Sequence, residues 1–159
     1  MLIKKIKKWD NLQTIVDIYN SNKHFLIHHL GREFVDKIFI HKEISKMKEI
    51  GFCPNLVIDN GRPIGVIDYK IQPSGYVYLS LLMLDYSLLN KGLGTRLYRL
   101  FEKKMIKLGA SVIRIDVVND YRSNAIPFWE SLGFVGFKES TLTWGYKTSS
   151  VLIMKKHLI

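Results

Sequence analysis

The period of apolar and polar positions changes along the chain, and each change predicts an element. Leu2 to Trp9 alternates loosely and suits a first strand. Asp10-Asn11-Leu12-Gln13 has capping-box spacing with Asp10 as the cap, and Leu12, Ile15, Val16 and Tyr19 then recur at helical spacing. Asn20-Ser21-Asn22 breaks that helix, and His24 to Leu30 is ambiguous. A second helical region follows Gly31 and runs to about Ile50, in one piece or two. Phe34, Ile38, Ile44 and Met47 are its apolar positions and Gly51 is its stop.

From Asn55 to Leu84 the period becomes that of strands. Leu56-Val57-Ile58 and Ile64 to Tyr69 flank Asp59-Asn60-Gly61, and Asn-Gly favours a tight hairpin because both residues tolerate positive φ. Gln72 to Gly75 is a second turn, leading into a strand from Tyr76 to Leu84 and completing an antiparallel meander. A long helix then opens on Gly92 and Gly94, with an apolar stripe of Leu93, Leu97, Leu100, Phe101, Met105 and Leu108, and stops at Gly109. Val112 to Val118 is β-branched and alternating. The strand–helix–strand crossover makes it parallel to the strand ending at Leu84. A short helix from about Ser123 to Ser131 carries Pro127 in its first turn, and Phe134–Glu139 and Val151–Lys156 read as two last strands. The expectation is an α/β (α+β) fold in one domain over residues 1–159. It has a mixed, mostly antiparallel central sheet, helices on both faces and a parallel strand pair in the middle.

Composition narrows the function classes. With 159 residues and 47% apolar content, a packed core is feasible. Cys53 is the only cysteine, so no internal disulfide forms and a reducing cytoplasm is the expected location. The opening MLIKKIKKW lacks the apolar run of a signal peptide, and no stretch is apolar for long enough to span a bilayer. The net charge of +10 calls for an anionic partner or a generally basic surface. No basic block with interleaved aromatics and no zinc-finger spacing points to nucleic acid.

The chemistry centres on Gly92-Leu93-Gly94. Glycines ahead of a helix bring unpaired backbone N–H groups and the positive end of the helix dipole to an anion. A P-loop requires Gly-Lys-Ser/Thr, but Thr95-Arg96 follows Gly94. A Rossmann site requires a third glycine where Leu97 stands, and glycines directly after the strand. Two motifs together fit better. Leu89-Asn90-Lys91-Gly92-Leu93-Gly94 follows the strand ending Leu82-Met83-Leu84, and Arg122-Ser123-Asn124-Ala125-Ile126-Pro127-Phe128-Trp129-Glu130-Ser131-Leu132-Gly133-Phe134 follows the next strand. This pair, and the order of elements, resembles the GNAT superfamily of N-acyltransferases over nearly the whole chain. Three positions depart from the family pattern: Leu89 replaces Gln or Arg, Arg122 replaces Asn, and Trp129 replaces a Tyr that serves as general acid.

The resemblance implies acetyl-CoA as the acyl donor. Its pyrophosphate would lie on the amides of Leu89, Asn90, Lys91, Gly92, Leu93, Gly94 and Thr95, with Arg122 and Phe128 also at the cofactor. Its pantetheine arm would lie between the parallel strands, which splay in this family, with Leu82 and Leu84 at the cofactor and a backbone N–H near Leu82 polarising the thioester carbonyl. It further implies direct attack by a primary amine of a small molecule or peptide. Tyr78 and Ser80, near the family's usual Glu position, are the candidate proton relay. Asp68 reads as an exposed strand carboxylate, or else a base from the neighbouring strand. Asp85 and Asp116 read as strand-end caps. Tyr121 and Tyr146 read as packing residues, or as substitutes for the missing phenol, and Trp129 reads as core. His28-His29 has no ligand partners at metal spacing, so no metal site is expected. The acceptor would be set by His24–Gly51 and Lys138–Ser150, where no pattern is decodable. Two alternatives remain: an acyl-CoA sensor without catalysis, and an acceptor on tRNA or ribosomal protein. A homodimer through C-terminal edge strands is a further possibility.

Overall fold

A computed structural model describes all 159 residues. The strands are β1 (Leu2–Lys5), β2 (Cys53–Asp59), β3 (Arg62–Ile71), β4 (Tyr76–Leu84), β5 (Val112–Val118), β6 (Val135–Trp144) and β7 (Lys147–His157). The helices are α1 (Leu12–Ser21), α2 (Lys23–Leu30), α3 (Lys37–Glu49), α4 (Leu93–Lys107) and α5 (Ile126–Ser131). All seven strands form one sheet in the order β1-β2-β3-β4-β5-β7-β6. Every neighbouring pair is antiparallel except β4–β5, which is parallel.

The sheet separates two cores. On one face Leu97, Tyr98, Phe101 and Met105 of α4 pack with Trp129 of α5 against Ile67, Val77, Leu79, Ile113 and Ile115. On the other, Ile15 and Tyr19 of α1, Leu26 of α2 and Ile40 and Ile44 of α3 pack against Leu56, Val66 and Met83. The expected fold, with helices on both faces of a mixed sheet, is the one observed.

Local departures have physical causes. Asp10 caps nothing: Asn11 occupies the N-cap of α1 without a side-chain bond, and Gln13 turns to Asp17 instead, 2.8 Å away. The first strand stops at Lys5, well short of Trp9. The ambiguous His24–Leu30 segment is helix α2, and α3 starts only at Lys37, capped by the Asp36 side chain on the amide of Phe39. Phe34 and Ile38 are 64% and 66% exposed, so the buried stripe of α3 is Ile40 and Ile44. In α4 Leu100 and Leu108 lie off the buried stripe, and Tyr98 is on it. The Asn60-Gly61 hairpin forms as expected, both residues at positive φ.

The β4–β5 pair decides the architecture of the site. Only Tyr76–Tyr78 register with β5, against Val112–Arg114. Beyond Tyr78 the two strands have no register partners on each other, although β4 continues to Leu84 and β5 to Val118. On its other side β4 stays paired with β3, but the register slips between Asp68 and Tyr69: Tyr69 faces Leu79, Asp68 faces Leu81, and Ser80 is the additional residue of a bulge.

Candidate active site

The strands part immediately before the glycine loop. After β4 comes a short 3₁₀ turn, Tyr86–Leu88, started by Asp85, whose carboxylate accepts from the amide and hydroxyl of Ser87. Asn90 (φ 59°) and Gly92 (φ 75°) then take left-handed backbone conformations, and α4 begins at Leu93. Arg96 is the first residue whose amide returns to the helix, donating to the Gly92 carbonyl at 3.1 Å. The amides of Leu93, Gly94 and Thr95 therefore have no partner in α4. Above Gly92 there is open space: a Cβ there would meet nothing within 4 Å. Gly94 lies against the Phe128 ring, 3.5 Å from where its Cβ would be. Lys91 and Arg96 are exposed at this helix end, and Arg122 is exposed in the β5–α5 loop. Unpaired amides, a dipole end, cations and free space above a glycine fit a diphosphate.

The other residues of the first motif are further in. Leu89 is exposed and closes the 3₁₀ turn, its amide donating to the Tyr86 carbonyl at 3.1 Å, so this amide is not the free phosphate donor expected. Leu82 and Leu84 turn their side chains into the α4 core, and the Leu84 carbonyl accepts from Asn22 Nδ2 at 2.8 Å. Asn22 thereby ties the α1–α2 junction to the end of β4, and Ser21 assists by accepting from the amide of Tyr86.

Across the sheet from α4, a cavity of about 330 Å³ lies between β2–β4, α1, α3 and the β6–β7 hairpin. Tyr78 and Ser80 both line it, as do residues of the two segments that carry no readable pattern: Glu43, Ile44, Met47 and Ile50 from one, Leu142, Thr143 and Trp144 from the other. Each relay hydroxyl already commits its proton inside the protein. Tyr78 donates to Asp116 Oδ2 at 3.2 Å, and Ser80 donates to the main-chain carbonyl of Asp68 at 3.2 Å. Burial first, and the Asp116 carboxylate next, push the Tyr78 phenol well above its ordinary range. Asp116 is no strand-end cap: it lies within β5, takes a two-pronged bond from Arg114 at 2.7 and 2.8 Å, and braces Tyr78.

Asp68 requires the largest correction. It is 7% exposed, not a surface carboxylate; it lines the cavity, and its Oδ1 is buried without a hydrogen-bond partner. Burial pushes its carboxyl up to about 7, with a smaller rise from Glu43 and an opposing pull from the Tyr69 amide. Glu43 is engaged at 2.8 Å by the indole N–H of Trp144. Tyr19, fully buried on the cavity wall, is raised by burial and then by Glu43 and Asp68.

The remaining candidates are structural by position. Trp129 is buried against Tyr98 and Phe134. Tyr146 is the exception: it is wholly exposed at the β6–β7 turn, so it is not the packing residue expected, and it does not line the cavity. Tyr121 stacks on His28 at 3.9 Å between ring centres, and His29 stacks on Phe25, where burial lowers it to about 4.

Glycine loop, splayed strands and cavity thus occupy consecutive positions in one sheet. The chain belongs to the acetyltransferase (GNAT) family, whose profile matches residues 12–134, from the start of α1 to just past α5. Solved structures share the whole architecture. An acetyltransferase from Thermus thermophilus superposes with a TM-score of 0.82 at 15% identity, over 99% of this chain and 96% of that one. An aminoglycoside 6'-N-acetyltransferase complexed with coenzyme A gives 0.72 at 17% identity, over 100% and 98%. The ribosomal-protein-S18-alanine N-acetyltransferase of Escherichia coli gives 0.72 at 16%, over 98% and 92%. At such identities the likeness is one of fold. No curated protein matches the sequence. No helix is long and apolar enough to cross a membrane.

Proposed function

We propose that this chain is an N-acetyltransferase that uses acetyl-CoA to acetylate a primary amine. The observation that carries the reading is the succession of parts at one point of the sheet. A parallel pair opens after Tyr78, a helix with unpaired amides starts at its mouth, and a cavity with a buried carboxylate lies behind it. Family membership and a fold neighbour described with coenzyme A support it.

The amides of Asn90 to Thr95 would hold the diphosphate, the Leu89 amide being taken by Tyr86, with Lys91, Arg96 and Arg122 adding charge and Phe128 flanking Gly94. Main-chain groups of β4 from Leu79 to Leu84, released from β5, would receive the pantetheine amides. The Leu84 carbonyl is already taken by Asn22, so Leu82 and its neighbours carry that contact. When bound, acetyl-CoA supplies an acetyl group activated as a thioester, open to direct attack by an amine nitrogen. The protein's own part is to orient the amine in the cavity and accept its proton. Tyr78 and Ser80 would position the amine as hydrogen-bond acceptors: their protons point to Asp116 and to the Asp68 carbonyl, which leaves oxygen lone pairs for an amine N–H or for a bridging water that carries the proton away. No observation favours the alternative of a non-catalytic acyl-CoA sensor.

The test is calorimetric titration of acetyl-CoA into the protein and into Gly92→Glu. A carboxylate beside the diphosphate site opposes the ligand, and the open space at Gly92 limits the folding cost to backbone strain of about 1–2 kcal/mol. Affinity should fall at least about 100-fold, equal to about 2.7 kcal/mol. Equal affinities for both proteins, or no binding to either, would refute the reading.

A further inference from the structure

The cavity between β3, α1, α3 and the β6–β7 hairpin defines the acceptor more closely than the family does, and this inference rests on the function proposed above. We propose that the acceptor is a singly charged amine with an apolar body. Its ammonium group is received by Asp68, and the remainder lies against the aliphatic and aromatic wall.

Three observations carry it. The first is the unpaired buried oxygen. Asp68 is more than nine-tenths buried and lines the cavity, yet its Oδ1 has no partner. A buried carboxylate oxygen without a donor is costly unless a ligand supplies one. The second is the shortage of other charged acceptors: Asn55 Oδ1 is also buried on this wall without a partner, but it is neutral. Glu43 is the only other carboxylate on the wall, and the Trp144 indole already binds it. A polyamine or an amino sugar brings several cationic or hydroxyl groups; Asn55 Oδ1 can accept from one of them, and this wall would bury the others unmatched. The third is the rest of the wall: Ile15, Ile44, Met47, Phe52, Val66 and Leu81 suit a hydrocarbon or aryl group.

Chemistry agrees with geometry. The carboxyl at about 7 is poised to exchange a proton near neutral pH. One proton passes from the ammonium nitrogen to a carboxylate oxygen, leaving a neutral amine with a free lone pair and a neutral carboxyl group. The carboxyl later returns that proton to water. The titratable groups on the same cavity wall are Tyr19 from α1, Glu43 and Lys46 from α3, and Tyr78 from β4. Amine affinity should weaken below pH 7, as Asp68 becomes neutral before the ligand arrives.

The test titrates 2-phenylethylamine, its neutral isostere 2-phenylethanol, spermidine and kanamycin into the protein, with and without saturating coenzyme A. 2-Phenylethylamine should bind at least about 10-fold more tightly than each of the others. Asp68→Asn should lose about 10- to 100-fold in affinity for it, the worth of one charge-assisted hydrogen bond. Met47→Lys, which puts a cation on the apolar wall, should abolish binding independently of Asp68. Tighter binding of spermidine or kanamycin, equal binding of the alcohol, binding of no probe, or an unchanged affinity in Asp68→Asn would each overturn the proposal. Failure to bind coenzyme A would instead strike the proposed function, because amine binding is read without it as well.

Discussion

Asp68→Asn should stabilise this protein, and the gain should depend on pH. In the unfolded chain the carboxyl titrates near 3.8; in the folded protein burial holds it up at about 7. Below pH 3.8 both states are protonated and the residue contributes no pH-dependent difference. Between 3.8 and 7 the unfolded state loses its proton while the folded state keeps it, so the folded state binds more protons and stability falls as pH rises. Above 7 the folded protein carries the buried charge and the loss is complete. At about 1.4 kcal/mol for each pKa step, the full penalty is about 4 kcal/mol. Asparagine has the same shape and no charge, but its amide must find a partner, which trims the gain to about 2–4 kcal/mol. For a chain of this size that is about 5–15 °C in Tm at pH 8, shrinking to zero or slightly below at pH 4, where only the cost of the amide remains. Groups common to both proteins cancel in the difference. The assay is thermal or urea unfolding of both proteins at pH 4, 6 and 8, followed by circular dichroism. A difference that is constant with pH, or a variant less stable than the parent at pH 8, would refute the account of Asp68 as a desolvated, unpaired carboxyl. A stabilised variant with impaired amine binding would be the usual exchange of stability for a working site.

Two further substitutions test neighbouring parts of the site. Tyr78→Phe deletes the hydroxyl that bonds Asp116 and faces the cavity, and should lower kcat at least about 10-fold with little change in coenzyme affinity; an unchanged kcat would remove Tyr78 from the proton path. Asn22→Ala leaves the Leu84 carbonyl without its side-chain donor, while Ile18 keeps the Ser21 hydroxyl, and should cost about 1–3 kcal/mol in urea unfolding, whereas a neutral result would mean water replaces the side chain freely.

The legible parts of the fold are those where one face is buried and the other wet. β5 falls on the expected Val112–Val118, because its alternation matches a strand covered by α4 and α5. The Asn60-Gly61 turn and the glycine loop are local backbone requirements, so they too are written in the residues. β6 is not: nearly all of it is exposed at the sheet edge, so no alternation marks how far it extends into Lys138–Ser150. Phe34 and Ile38 mimic a core stripe, but Phe34 lies outside the helix, which starts only at Lys37, and Ile38 falls on its exposed face. Asp68 reads as exposed only while its neighbours are left out. β3 lies inside the sheet with residues 64–69 all buried, and the unbroken run from Ile64 to Tyr69 is the signature of a strand covered on both faces. A carboxylate within such a run must be buried too. Glu43 and Trp144 lie about a hundred positions apart in sequence, and no local pattern links them.

The bulge at Ser80 explains why a coenzyme slot and an acceptor cavity arise at the same place. Before it Val77 and Leu79 face the α4 core; after it Leu82 and Leu84 do, so one additional residue resets the alternation. Around the additional residue, Tyr78, Ser80 and Leu81 all reach the cavity. The same bulge sharpens the twist of β4, and β4 leaves β5 just at Tyr78. Deleting Ser80 should therefore preserve which side chains face which core while straightening the strand. The variant should fold, β4 and β5 should pair beyond Tyr78 and Arg114, and amides of both strands past those residues should gain hydrogen-exchange protection. Coenzyme affinity should fall at least about 10-fold, because main-chain groups that would receive the pantetheine arm are then taken by the neighbouring strand. If the shortened protein folds and binds the coenzyme as tightly as its parent, the opening between the strands owes nothing to the bulge, and the splay must be imposed by the packing of α1 and α2 against the end of β4 through Asn22.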